Sequence, residues 1–366
     1  MRRRALLQMS LLAGLVGCTP APDPTQAPSV TGDDHVSVES GDFAILFSNL
    51  AAGEDPKSRQ GYVSLVSADG TRKGGVAFTP MDNARLFSHQ GAVAWLANDA
   101  AHHWGKEHRS WKNMPSHGGA VDTLLPADDR ILAVINEGTE DPETYESGLF
   151  LFDATESQPW RHPGFLGEGV GWSSGVAFGF SAKSLYEESV QLTLLGPGNG
   201  QESFGPVIEG SRVWGERIVN LGGHSYALTS LASTGVAAEL WQIDANIKSV
   251  TAVPLVGPGA DVADWYTVAG PSSLTPVGEE LFWLSGAGLW AANPRSGETR
   301  LVKNLAEEES AGWFLGASGL VGLRRNSTGW SLRHFNAADG RGEHNIESVT
   351  LEGPGDLYPH GAVRIE

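Results

Sequence analysis

The chain has 366 residues, with 43 Asp and Glu against 25 Lys and Arg, a formal net charge of −18, and one cysteine. That charge excludes a nucleic-acid binder of the usual kind, which presents a basic surface to a polyanion. A single cysteine excludes any intramolecular disulfide, so the fold must be held by burial.

Arg2, Arg3 and Arg4 lead into the apolar run from Ala5 to Val16. A positive start followed by about 7 to 15 apolar residues is the layout of a secretory signal, and the run falls short of the roughly 20 residues that span a bilayer. It ends in Leu15-Val16-Gly17-Cys18. These four positions resemble a bacterial lipoprotein signal, in which Leu, a small or aliphatic residue and a small residue precede the cysteine. The resemblance implies that residues 1–17 are removed and that Cys18 becomes the lipidated first residue. An incidental cysteine behind an ordinary cleaved signal is the alternative. Arg3-Arg4-Ala5-Leu6-Leu7 is also similar to the twin-arginine export pattern, although Gln8 stands where that pattern often has Lys. A general secretion signal, too, begins with positive charge.

Removing residues 1–17 takes away three arginines and no acid, which moves the formal charge to −21. Anionic headgroups and wall polymers repel such a chain, so attachment to a membrane rests on the lipid at Cys18 and not on a basic patch. Residues 18–42 then read as a tether. Pro20, Pro22, Pro24 and Pro28 alternate with small and polar residues, and no apolar periodicity starts before Phe43. In an extended polyproline-like form this segment reaches on the order of 70 Å.

From residue 43 to 366 the chain consists of short β-rich runs separated by Gly, Pro, Asn and Asp. Several runs predict hairpins: from Gly61 into Ser67-Ala-Asp-Gly70, from Gly148 into Asp153-Ala-Thr, from Glu239 into Asp244-Ala-Asn, from Gly288 into Asn293-Pro-Arg-Ser-Gly297, and from Trp330 into Asn336-Ala-Ala-Asp-Gly340. Val190 leading to Gly196-Pro-Gly-Asn-Gly200 adds another. Asp, Asn and Ser open these turns because their side chains accept hydrogen bonds from the backbone two residues on. The starts are 42 or 49 residues apart except for a gap of 87 between the first two, which fits two periods with a degenerate unit near His103. Each hairpin has a further pair of short strands upstream, as Asp122 to Pro126 with Arg130 to Asn136. Four strands per unit of about 40 to 50 residues, seven times over, predict an all-β fold, a seven-bladed β-propeller. The segment from Phe43 lacks an upstream partner, so the final residues Ala362-Val-Arg-Ile-Glu366 are expected to complete blade one and close the ring. A β-sandwich with a second domain is the structural alternative.

The hairpin punctuation loosely resembles the repeats of quinoprotein-like propellers, where an aspartate and an alanine open the outer turn. Only Asp153-Ala154 and Asp244-Ala245 carry that pair, and the Gly-His and Trp-Asp pairs of WD repeats do not recur along the chain. The resemblance implies the fold and does not extend to a cofactor.

Two sets of residues are candidate sites. Glu54 and Asp55 precede the hairpin at Gly61, and Glu140 and Asp141 precede that at Gly148. Carboxylates are hard oxygen ligands, so a Ca²⁺ site is conceivable there, but no calcium-loop spacing is present and acidic loops are ordinary on so negative a chain. His102, His103, Trp104 and His117 are candidate ligand-binding residues in the degenerate second unit, with His108 and Trp111 between them. Neutral imidazoles bind transition metals and indole faces suit sugars. A strand pair with solvent-facing imidazoles and a core-facing Trp104 explains the same residues. Trp172, Trp214, Trp241, Trp283, Trp290, Trp313 and Trp330 fall in predicted strands and are expected to pack between blades. No nucleophile elbow, phosphate loop or dinucleotide fingerprint is present. The sequence therefore points to a scaffold, lipid-anchored outside the cytoplasm, that binds a protein or small extracellular ligand on its loops. The rival is a surface-anchored enzyme, a lyase, hydrolase or quinoprotein-like dehydrogenase.

Overall fold

A computed structural model of the chain describes residues 36–49, 59–82, 84–98, 100–114, 120–136, 146–166, 169–182, 189–196, 203–209, 211–231, 237–244, 246–261, 274–285, 288–306, 308, 310–327, 329–349 and 357–366. These residues form seven four-stranded antiparallel sheets. Blade one joins β1 (Phe43–Ser48), β2 (Gly61–Val66) and β3 (Arg72–Phe78) to the last strand, β28 (Tyr358–Arg364). Blade two is β4 (Leu86–His89), β5 (Ala92–Leu96), β6 (Ala101–Trp104) and β7 (His108–Trp111). Blade three is β8 (Ala120–Ala127), β9 (Arg130–Asn136), β10 (Glu146–Phe152) and β11 (Ser157–Pro163). Blade four is β12 (Val170–Ser173), β13 (Val176–Ser181), β14 (Ser189–Leu195) and β15 (Ser203–Glu209). Blade five is β16 (Ser211–Leu221), β17 (His224–Leu231), β18 (Ala237–Ile243) and β19 (Val250–Pro254). Blade six is β20 (Thr275–Val277), β21 (Glu280–Ser285), β22 (Gly288–Ala292) and β23 (Thr299–Asn304). Blade seven is β24 (Gly312–Gly316), β25 (Gly319–Asn326), β26 (Gly329–Phe335) and β27 (Gly342–Val349). Among the described residues no helix is long and apolar enough to cross a membrane.

The expected closure is present. β28 lies innermost in blade one and pairs with β1 from Phe43↔Arg364 to Ser48↔Tyr358, so the strand is longer than the last five residues. Each central strand is buried on both faces, which is why β1 reads as the near-continuous apolar run Phe-Ala-Ile-Leu-Phe. Alternate side chains then feed the two neighbouring interfaces. Ala44 and Leu46 join Trp95 and Trp104 between blades one and two, whereas Phe43 meets His334 edge-on at 5.9 Å and Phe47 meets Trp330 at 5.5 Å on the side of blade seven. Trp241, Trp283 and Trp313 are buried in the interfaces that follow, as the sequence predicts. Trp290 and Trp330 are half-buried, and the side chain of Trp214 lies outside what the structure describes.

The outer turns form by the chemistry read from the sequence. Asp153 Oδ1 accepts from the Thr155 and Glu156 amides, Asn293 Oδ1 from Arg295, and Asn336 Oδ1 from Ala338. Residues 36–42, read above as the end of the tether, are docked on the ring. Val38 is buried between blades one and two, its amide donates to Gly105 O at 2.9 Å, and Trp104 Nε1 donates to Val36 O at 2.8 Å. Lys73 Nζ clamps the same segment through Asp42 at 2.8 Å and Glu39 at 3.0 Å.

One strand glycine is there to admit an indole. Gly322 on β25 pairs with Trp313 on β24, and a Cβ at position 322 would overlap the ring carbons of Trp313. Overpacking of this kind costs about 1–3 kcal/mol. Gly322→Ala is therefore expected to lower the thermal midpoint by several degrees, measured by circular dichroism; a midpoint equal to wild type would show that the ring moves aside freely.

Candidate functional site

The innermost strands of all seven blades surround a central channel. At one end the two-residue turns between first and second strands form a rim: Gln90-Gly91, Asp128-Asp129, Ser174-Gly175, Gly222-Gly223 and Gly278-Glu279. Such tight hairpins require left-handed backbone, and Gln90 (φ 51°), Asp128 (φ 58°) and Ser174 (φ 53°) adopt it without being glycine. A left-handed residue with a Cβ costs about 1–2 kcal/mol, so something must hold these turns.

At Asp128 the restraint comes from the neighbouring blades. His89 Nε2 and Gln90 Nε2, on blade two, donate to Asp128 O at 2.9 and 3.2 Å. Trp172 Nε1, on blade four, donates to Asp128 Oδ2 at 2.9 Å. Asn220 Nδ2, on blade five, donates to Trp172 O at 2.7 Å, and its own Oδ1 accepts from Ser225 at 2.7 Å. Across the channel Ser318 Oγ, on blade seven, donates to Arg364 O in the closing strand at 2.9 Å. Blades two, three and four are thus tied through Asp128, and Asn220 extends the chain of bonds to blade five.

Inside that rim lies a cavity of ≈ 270 Å³. Leu86, Leu125, Trp172 and Val363 give it an apolar wall, Arg85 and Arg364 bring guanidinium groups, and Glu366 brings a carboxylate. Apolar walls with a few fixed polar groups are what small-molecule sites offer. The chain enters the ring on this same face, where the Gly41 amide donates to Ile365 O.

The sequence-derived candidates fall elsewhere. His102, His103 and Trp104 lie on β6, the third strand outward from the channel. Because side chains alternate, His102 and Trp104 face blade one and His103 faces blade three. His102 is 8% exposed and stacks on Trp95, with ring centroids 4.6 Å apart and planes at 1°. Its Nδ1 shares a hydrogen bond with His108 Nε2 at 3.0 Å. The expectation of solvent-facing imidazoles thus does not hold for His102. Register places Trp95 directly opposite it, and the turn brings His108 back onto the same face. Burial, reinforced by the adjacent His108, pushes the His102 pKa down to about 3. His103 is half-buried, and burial lowers its pKa despite the opposing pull of Asp153. Trp104 is fully buried, as expected. His117, Glu54, Asp55, Glu140, Asp141 and Cys18 lie outside the described residues. Among the described residues no three His, Cys, Asp or Glu side chains converge as metal ligands.

Asp128, Trp172, Asn220 and His89 went unrecognised as a set in the sequence. Each blade contributes one rim residue roughly 40 positions from the next, and no local pattern links them.

No protein-family model matches the sequence, and no curated protein matches it. Solved structures do resemble it in fold. A Bacteroides uniformis protein provisionally assigned as a 6-phosphogluconolactonase is 13% identical, with a TM-score of 0.51 over 88% of this chain and 99% of that one. Cobalt-substituted ACO of Synechocystis is 9% identical, with a TM-score of 0.53 over 88% and 92% of the two chains. The acylaminoacyl peptidase of Pyrococcus horikoshii is 12% identical, with a TM-score of 0.51 over 85% of this chain and 51% of that one. At such identities the likeness is one of fold.

Proposed function

We propose that this chain is a lipid-anchored, extracytoplasmic β-propeller of the bacterial cell envelope that acts as a binding scaffold and seats a small ligand in the mouth of its channel. The observation that carries the reading is the channel mouth itself: four blades are linked by a chain of bonds running through Asp128 and Trp172 around a cavity with apolar walls and two guanidinium groups. A ring held this rigidly loses little conformational entropy when a ligand arrives, which favours binding. Location outside the cytoplasm rests on Arg2 to Val16, and attachment rests on the register from Leu15 to Cys18. The acidic body makes a lipid the natural means of attachment, since an anionic surface repels it.

Two measurements test this. Wild-type protein should partition into detergent with a lipidated Cys18 at its mature N-terminus, and Cys18→Ser should abolish retention in the membrane fraction. An unmodified wild-type N-terminus at another residue would end the anchoring reading. A ligand in the mouth should change the emission of Trp172 and be released chemically unchanged. Its conversion to a product would replace the scaffold with an enzyme.

A further inference from the structure

A second cavity, of ≈ 410 Å³, lies on the same face between blades five and six, outward of the channel rim. Its floor is Tyr226 on β17. The residue is only 3% exposed, and its hydroxyl makes no hydrogen bond among the described residues, although it lines the cavity. The ring is buried while the hydroxyl reaches the opening, where a ligand oxygen can take the place of water. Burial raises the Tyr226 pKa and the charge of Arg295 opposes that rise, which keeps the group a neutral donor at physiological pH.

The groups around Tyr226 are complementary in kind. Gln242, directly across the ladder from Tyr226, donates from Nε2 to His224 Nδ1 at 3.1 Å. That bond puts the proton of His224 on Nε2 and leaves Gln242 Oε1 as an acceptor. Arg295 stands on the outer turn of blade six, which Asn293 fixes by accepting from the Arg295 amide at 2.9 Å. Its guanidinium makes no ion pair among the described residues. Glu279, at the inner turn of blade six, brings a carboxylate to the same wall.

We propose that this groove is a binding site, separate from the channel, for a small hydroxylated anion: a sugar carrying a carboxylate or phosphate. Arg295 takes the anionic group, for which its planar fork of donors is suited. Tyr226 and His224 donate to ring or hydroxyl oxygens, and Glu279 and Gln242 accept from the hydroxyls. The groove shares the rim turns Gly222-Gly223 and Gly278-Glu279 with the channel mouth, but none of its lining residues lines the channel cavity, so the two can be occupied independently.

The test is calorimetric titration of the full chain in detergent with glucuronate, glucose 6-phosphate and, as the neutral comparison, glucose. One or both anions should bind saturably at one site, and which of them binds identifies the anionic group. Arg295→Gln is expected to weaken that binding at least about tenfold, a change of about 1.4 kcal/mol. Tyr226→Phe, which keeps the buried ring, should weaken it severalfold with an unchanged melting midpoint. The proposal is overturned if neither anion binds at up to about 10 mM, which is beyond the millimolar range of weak ligands, if glucose binds equally well, or if both variants bind like wild type. Binding that survives Arg295→Gln but is lost in Trp172→Phe places the ligand in the channel, which removes the groove while leaving the channel reading intact.

Discussion

Truncation before Tyr358 is expected to abolish the cooperative unfolding transition of the whole domain. β28 fills the innermost position of blade one and pairs along the length of β1. Its loss exposes the inner edge of a buried strand and opens the ring at its seam. It also removes Ala362 and Ile365, which are 1% and 2% exposed, and Val363 at 8%. Burying a side chain the size of Val or Ile contributes about 1.5–3 kcal/mol, so these residues together with the ladder represent a large share of a total stability of about 5–15 kcal/mol. The shorter deletion of Ala362 to Glu366 cuts the strand in half and should act in the same direction. Ile365→Ala keeps the ladder, including the Ile365 amide bond to Asp42 O, and should cost about 2–5 kcal/mol. Thermal and urea melts of the three variants against the intact chain decide the matter. A truncated chain with an unchanged midpoint would show that β28 is dispensable to closure.

The outer hairpins were legible because their turns are local. A side chain such as Asp153 or Asn336 reaches the amide two residues on, so turn chemistry and period appear together in the linear sequence. Closure was legible for a different reason: β1 is apolar from Phe43 to Phe47 and has no predicted strand upstream of it, so its free edge needs a partner from elsewhere in the chain. The channel mouth was not legible. Asp128 gains its meaning from His89, Trp172 and Asn220, each on a different blade, and nothing in the residues around Asp128 announces a left-handed backbone held by its neighbours. The groove between blades five and six was hidden likewise, since Tyr226 and Arg295 are 69 positions apart. The histidine cluster was visible in composition, but its grouping depended on register. Alternation divides His102 from His103, while the turn after Trp104 reunites His102 with His108. Residues adjacent in sequence were thus separated by the pleat, and residues six apart were joined.

That pairing makes the domain sensitive to acid. His102 has an ordinary pKa of 6.5 and a folded value of about 3, because burial and the neighbouring His108 both oppose its charge. His162, packed between blades three and four with Nε2 at 2.8 Å from Ser181 Oγ, is pushed by burial from 6.5 to about 4. Burial also lowers His103 and His360. Below pH 6.5 the unfolded chain takes up these protons while the folded chain refuses them. Stability is therefore complete above about pH 7 and falls as the pH drops through 6.5 toward the folded values. At pH 4.5 each of the two most shifted histidines is about two units below its unfolded pKa, a loss on the order of 2–3 kcal/mol apiece. The shifted carboxylates Asp69, Asp153 and Asp244 are lowered from 3.8 and lose their contribution only in stronger acid. The interval from pH 7.5 to 4.5 thus isolates the histidines. Urea denaturation across it should show unfolding free energy falling with pH, and His102→Phe, which preserves a flat ring against Trp95, should make the fall shallower by about 2–3 kcal/mol at pH 4.5. Equal stability of the wild type at the two pH values would mean that the His102–His108 stack opens to water before it is forced to hold a proton, and an unchanged slope in the variant would place the acid sensitivity elsewhere in the ring.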